Sequence, residues 1–374
     1  MSLVTIIVGK IFNKMKIPKK VNQIRKKIMQ GLTRNIGKKS KIKNNSGKLP
    51  EIKRILISRP NGRLGNLLLI TPLLQDVSTM FPDCKIDLLV KGSLAPILFE
   101  NYKNVDKIIQ LPKKPFKSLG KYIASWISIR QKKYDLVINV TKTSSSGRLS
   151  TQFSNSTFKF FGNDDNQISH KDQLHIAKYP VYNFREFLTQ LGFPPNENPI
   201  PSLDLKLSES EISQGKIALQ EITKNNKKTI CIFTYATGDK CYSEDWWETF
   251  YNALKEKYSD YNIVEVLPIE NISRINFQAP TFYSKDVREI GRLIANADLF
   301  IGADSGIMHL ASSVHTPTVG LFSITNPEVY EPYNNSSVGI KTCNCCMEDF
   351  MKVAAGVMAI GLRMLVFLET QISV

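Results

Sequence analysis

The sequence predicts an α/β protein of two doubly wound domains whose parallel sheets face each other across a cleft. Three observations lead there. A chain of 374 residues, 42% hydrophobic and 22% charged, is long enough for two soluble cores. Short apolar runs alternate with helix-period patterns, and a cluster of prolines interrupts this alternation before it begins again.

In the first half, residues 52–58, 85–90, 105–111 and 134–140 are short, β-branched and apolar, the pattern of strands buried on both faces. Ile70, Leu73, Leu74, Val77 and Phe81 recur at helical spacing between the first two, and Tyr122, Ile123, Trp126, Ile127 and Arg130 between the last two. A short strand at 158–161 and a helix around 184–191 complete the unit. Pro194, Pro195, Pro199 and Pro201 then exclude helix and central strand, so the chain is divided at a stiff linker. Ser208 and Glu211 have capping-box spacing for the next helix, and strands follow at 229–235, 262–269, 298–301 and 316–322. The predicted divisions are a tail, 1–50; a first domain, 51–193; a linker, 194–207; a second domain, 208–342; and a helical C-terminal segment, 343–374. In open α/β sheets the ligand binds beyond the carboxyl ends of the strands, here in the cleft between the domains.

The formal charge of +17 belongs mainly to the tail, because residues 1–50 hold fourteen Lys and Arg and no Asp or Glu. The remaining body is nearly neutral and has no aromatics interleaved with basic residues for base stacking, which argues against nucleic acid as a partner. Within the tail, Ile11, Phe12, Met15, Ile17, Val21, Ile24, Ile28, Met29 and Leu32 can form an apolar stripe beside a basic face, an interfacial helix on an anionic membrane. The plainer alternative is a solvated basic arm, and Pro18 interrupts the stripe. The apolar start, 3–8, is too short for a signal-peptide core or a span, so a cytoplasmic protein is expected. Cys343, Cys345 and Cys346 lack the paired spacing of a zinc site and are expected as free thiols; no metal is expected. The apolar run 353–368, broken by Arg363, is expected as a buried helix.

The most informative local segment runs from Asp298 to Ser313. An apolar strand enters Asp304, Ser305 and Gly306, and a helix with Ile307, Leu310 and Ala311 on one face begins at once. Free N–H groups at such a helix start, with the Ser305 hydroxyl, form an anion site suited to a diphosphate, and Gly306 would let the phosphate approach the backbone. Asp304 would accept from sugar hydroxyls. Equally, Asp304 and Ser305 could simply cap the helix.

The run Asp304-Ser-Gly-Ile-Met-His309, followed by Pro317-Thr-Val-Gly-Leu-Phe322 and Thr325-Asn-Pro327, resembles the C-terminal signature of the bacterial heptosyltransferases, glycosyltransferase family 9. The stretch from Ile55 to Pro72, with Arg-Pro-Asn-Gly-Arg-Leu-Gly-Asn66 at its centre, is similar to the family's first strand, glycine loop and Thr-Pro helix. Lys240, ahead of Trp246, and Glu270, after the strand ending Leu267-Pro-Ile269, resemble two further family positions, and the likeness runs from about residue 52 to about 333.

The resemblance implies the GT-B architecture of two facing Rossmann-like domains and transfer of a sugar with inversion, without a required metal or cofactor. It implies a nucleotide-sugar donor, ADP-heptose foremost, on the second domain and a lipid-linked or oligosaccharide acceptor, such as the lipopolysaccharide core, on the first. Lys240 and the helix start at Ser305 and Gly306 would stabilise the departing diphosphate. Asp304 would contact donor sugar or phosphate and Glu270 the nucleoside. His309 would reach the phosphates or serve as a hydrogen-bonded structural histidine. Gly62, Arg63 and Gly65 would line the acceptor's approach to the first helix. At position 66 the family carries Asp, expected to take the acceptor's proton, whereas an amide such as Asn66 can position a hydroxyl but cannot be a general base. A transferase-like binding protein of little or no activity is therefore the competing reading, and turnover measured beside donor binding separates the two.

Overall fold

The computed structural model describes residues 27–37, 48–114, 117–162, 175–334, 336–342 and 347–358. The tail before residue 27, the three clustered cysteines and the apolar stretch beyond residue 358 lie outside them.

The first half contains β1 (Arg54–Ser58), α1 (Leu64–Leu68), α2 (Thr71–Met80), β2 (Lys85–Lys91), α3 (Ala95–Leu98), β3 (Val105–Leu111), α4 (Leu119–Gln131), β4 (Lys133–Asn139), α5 (Ser145–Phe153), β5 (Asn155–Phe160) and α6 (Tyr179–Gln190). Its five strands lie in the order β3-β2-β1-β4-β5, all parallel. The apolar runs become the central strands because both faces are covered: Ile55 and Ile57 pack with α2 and α6, while Leu56 and Val137 pack with α4.

The second half begins with α7 (Glu209–Thr223), whose N-terminus carries the predicted capping box between Ser208 and Glu211. It continues with β6 (Thr229–Phe233), α8 (Glu244–Lys257), β7 (Asn262–Val266), β8 (Thr281–Phe282), α9 (Val287–Ile294), β9 (Leu299–Ala303), α10 (Gly306–Ser313), β10 (Thr318–Phe322), α11 (Pro327–Tyr330) and β11 (Val338–Lys341). The sheet order is β11-β10-β9-β6-β7-β8, again all parallel. This α/β architecture of two parallel sheets is the predicted class. The two-residue β8 and the edge strand β11 were not legible, since both are too short to show a period.

The proline segment has neither helix nor strand, yet it is tied down. The Asp204 N–H donates to Thr71 Oγ1 of the first half, and the Leu205 N–H to the Ser313 carbonyl of the second. Two terminal pieces correct the sequence picture. Residues 27–33 are helical and Thr33 is buried, accepting from Arg148 Nη2 on α5 at 2.7 Å, so this part of the tail packs on the first half. Residues 347–358 are helical, starting earlier than the expected run at 353, and Phe350, Met351, Ala354 and Val357 join the second half's core beside Trp246, Trp247 and Phe250. The aromatics of α8, distant in sequence, offer these side chains an apolar surface in space. Among the described residues no helix is long and apolar enough to cross a membrane.

Candidate active site

Strand order reverses between β1 and β4 in the first sheet and between β6 and β9 in the second. These are the topological switch points, where crossovers leave on opposite faces and a crevice opens beyond the strand ends. The predicted site residues gather around both.

At the second switch point, Asp304 follows the last residue of β9 and is 7% exposed. Its Oδ2 accepts from Lys240 Nζ and from Thr325 Oγ1, each at 2.5 Å. A buried carboxylate needs such partners, and here they bring together three segments from separate loops. The Lys240 side chain remains 36% exposed, so it is anchored by Asp304 while staying partly open to solvent. Lys240 sits at the end of a short 3-10 turn, Gly238–Lys240, ahead of α8.

Ser305 caps α10: its hydroxyl accepts from the Met308 N–H. The capping alternative is therefore realised for Ser305, whereas Asp304 is an ion-pair partner rather than a cap. Gly306 needs a different reason from the one its sequence suggested. A Cβ there would lie 3.0 Å from Leu64 Cβ and 3.2 Å from the Gly65 nitrogen, so the space is filled by α1 rather than held open for a phosphate. Gly65 faces the same seam, where a Cβ would lie 2.9 Å from His309 Cδ2. Gly62 lies against the Lys91 carbonyl, 2.2 Å from where its Cβ would be, and so lets the loop cross the end of β2. At each of these glycines, protein approaches protein closely. Arg63, exposed, is the N-cap residue of α1 without a side-chain capping bond.

His309 is buried, and its Nδ1 has no hydrogen-bond partner among the described residues, contrary to the hydrogen-bonded structural histidine. Burial, opposed by nearby Asp304 and reinforced by His175 and Lys240, pushes its pKa down to about 4, so the ring is neutral at pH 7. Glu270 is exposed in the turn beyond β7. Close to it, Glu265 on β7 is fully buried, accepts from Thr234 and Ser273 at 2.6 and 2.7 Å, and is held above the usual carboxylate range by burial.

At the first switch point stands a residue the motif reading passed over. Arg59 leaves the end of β1; its Nη2 donates to Asn66 Oδ1 at 3.0 Å and its Nη1 donates to Thr141 Oγ1, just past β4. Its Nε is buried without a partner, and no carboxylate pairs with it among the described residues. Burial lowers its pKa to about 10, which leaves it charged at neutral pH. Asp76, the other acid near Asn66 in sequence, is spent on Arg185, whose Nη2 lies 2.5 Å away. Among the described residues no cluster of His, Cys, Asp or Glu could hold a metal ion.

Residues 284–356, which include β9, Asp304, α10 and Thr325, match the model of glycosyltransferase family 9 (heptosyltransferase). The lipopolysaccharide heptosyltransferase 3 of Escherichia coli is 24% identical over 305 residues, covering 73% of this chain and 85% of that protein. The lipopolysaccharide heptosyltransferase 1 of Campylobacter coli is 24% identical over 288 residues, covering 70% and 82%. Among solved structures, the family 9 glycosyl transferase of Veillonella parvula superposes with a TM-score of 0.66 at 18% identity, over 83% of this chain and 99% of that one. The E. coli heptosyltransferase WaaC with ADP gives 0.61 at 16%, over 81% and 99%. With the sheets, the strand order and the Asp304 segment already in place, the chain is similar to the heptosyltransferases of glycosyltransferase family 9, by the family model over residues 284–356 and by the fold over most of its length.

Proposed function

We propose that this glycosyltransferase moves a heptose, with inversion, from ADP-heptose bound by the second half to a lipopolysaccharide-core acceptor met by the first. The observation that carries the proposal is the Asp304, Lys240 and Thr325 cluster at the second switch point, beside the N-terminus of α10. In the reaction an acceptor oxygen bonds to the anomeric carbon while the bond from that carbon to the diphosphate breaks and its electron pair leaves with the nucleotide. Charge builds on the diphosphate. Lys240 is positioned to meet that charge because Asp304 fixes its ammonium, and the first N–H groups of α10 add their partial positive charge. Neutral His309, one turn into α10, can donate an N–H without adding a charge. Glu270, exposed beyond β7, is the residue proposed to contact the nucleoside. One relative, the E. coli heptosyltransferase WaaC, solved with ADP and with ADP-2-deoxy-2-fluoro heptose, supports the choice of donor. The basic tail is proposed to hold the enzyme on the cytoplasmic membrane surface, where a lipid-linked acceptor is presented.

The test pairs binding with turnover. ADP should bind by calorimetry, and ADP-heptose should be consumed only when acceptor is present. Lys240→Ala should lower turnover by about 10² to 10³ with the fold intact, the range for losing one group that stabilises a leaving charge. Parent-like turnover in that variant removes the assigned donor site. ADP binding without turnover on any lipopolysaccharide-core acceptor would instead favour the inactive binding protein, which Asn66 makes a specific alternative.

A further inference from the structure

The geometry points to an oxyanion-binding site on the first half, in which the Arg59 guanidinium, left unneutralised by Asn66, pairs with a negatively charged group of the acceptor. Several observations converge on it. Arg59 stands at the switch point of the first sheet, bridging the ends of β1 and β4 through Thr141. Its only other side-chain partner among the described residues is the neutral amide oxygen of Asn66, and its Nε is buried and unpartnered. Two other arginines are closed by acids, Arg185 by Asp76 and Arg288 by Glu211 and Glu100, whereas buried Arg148, which also lacks a carboxylate, donates to the Lys142 carbonyl and the Thr33 hydroxyl. A half-buried guanidinium without a counter-charge is costly, and its planar fork matches a carboxylate or phosphate. An aspartate at position 66 would neutralise Arg59 internally; the asparagine keeps the geometry and leaves the charge for a ligand.

This inference rests on the proposed reading only in naming the acceptor as the ligand's source. Its test therefore uses inorganic phosphate and acetate as probes, titrated by calorimetry into the full-length protein saturated with ADP. The parent should bind at least one of the two probes. Arg59→Gln should weaken that binding at least tenfold, and so should the nearly isosteric Asn66→Asp, which guards against a folding defect in the first variant. Preference for phosphate or for acetate identifies the oxyanion as phosphate or carboxylate. Unchanged binding in both variants, or no binding by the parent, overturns the site. If ADP fails to bind while probe binding still depends on Arg59, the site stands and the donor reading falls.

An independent observation concerns α4. Leu119, Ile123 and Ile127, spaced by four, are 54%, 48% and 45% exposed, and Phe153 beside them is 45% exposed. From Lys107 to Lys133 the chain has eight Lys and Arg and no Asp or Glu. Lys107 is bonded to Ser128, and Lys132 is held by Asp87 and Asp106, but Lys113, Lys114, Lys117, Lys121, Arg130 and Lys133 are exposed. We propose that this face of α4 rests on an anionic bilayer, its apolar stripe among the acyl chains and its cations at the headgroups. Charge complementarity favours that occupant over a second copy of this basic chain. Trp126, packed just beneath the stripe, is the reporter, because Trp246 and Trp247 belong to the other half. Brominated phosphatidylglycerol vesicles should quench part of the tryptophan emission. That part should vanish in Trp126→Phe and in Ile123→Glu/Ile127→Glu, and high salt should reduce it. Quenching that persists in the double variant, equal quenching by brominated phosphatidylcholine, or a dimer in sedimentation that buries the stripe without vesicles would overturn the assignment.

Discussion

His309 shows how much of a site residue's behaviour depends on what surrounds it. Its position one turn into α10 was legible from the Asp304-Ser-Gly-Ile-Met-His309 run, but its environment was not, because Gly65 approaches it from a segment more than two hundred residues earlier. The sign of its pH effect follows from that burial. Its folded pKa of about 4 lies below the ordinary value of 6.5, so between these values the unfolded chain binds the extra proton. Stability should therefore be full above pH 6.5 and fall as pH drops toward 4, by about 3 kcal/mol for a shift of this size. Urea midpoints measured across that window should show the slope in the parent and lose it in His309→Gln. Equal slopes in the two proteins would assign the titration to another group. Arg59 was harder to read, since an arginine at a strand end is unremarkable until its missing counter-charge is seen in three dimensions.

At the scale of elements, α1 of the first half and α10 of the second pack directly against each other. The strands and the longer helices could be read because burial on both faces forces apolar runs, and α7 because its capping box is local. The five-residue α1 could not, and its glycines looked like a ligand loop because a backbone-approach glycine has the same sequence signature whatever approaches it. The structure separates the cases. A methyl group at position 65 would sit 2.9 Å from a His309 ring carbon, and one at 306 would sit 3.0 Å from Leu64 Cβ. Gly65→Ala should thus cost about 1 to 3 kcal/mol as an overpacked contact and lower the thermal midpoint by several degrees. ADP present in excess should not rescue the midpoint difference between variant and parent, since the clash lies between protein groups. A variant as stable as the parent would mean that the seam has room to spare.

For the whole molecule, the relation of the two halves depends on Arg288 more than on any residue that a motif would single out. From α9 in the second half its Nε lies 2.6 Å from Glu211 and 2.7 Å from Glu100 of the first half, while its Nη1 donates to the Ile97 and Leu205 carbonyls and its Nη2 to Lys206. One guanidinium thus ties the first half, the linker and the second half. None of this is visible in sequence, because the partners are scattered over nearly two hundred positions and arginine is ordinarily a surface residue. Arg288→Ala takes the guanidinium from Glu211, Glu100 and three carbonyls, leaving Glu211 only its bonds from Ser208 and Asn101, and should cost about 1 to 3 kcal/mol, the range for losing charge-assisted hydrogen bonds. Arg288→Lys should restore little, since an ammonium cannot reproduce the fork. The same contact sets an acid limit. Arg288 holds Glu211 down to about 2 from the ordinary 4.5, so its contribution is complete above pH 4.5 and is lost as pH falls toward 2. This window overlaps that of His309 only between about 4 and 4.5, so the two can be told apart above and below that interval in one titration. Small-angle scattering at neutral pH should show Arg288→Ala more extended than the parent, and the parent itself should open as pH is taken from 4.5 toward 2. An unchanged radius of gyration in the variant would show that other contacts, the α1 and α10 seam among them, hold the halves together without Arg288.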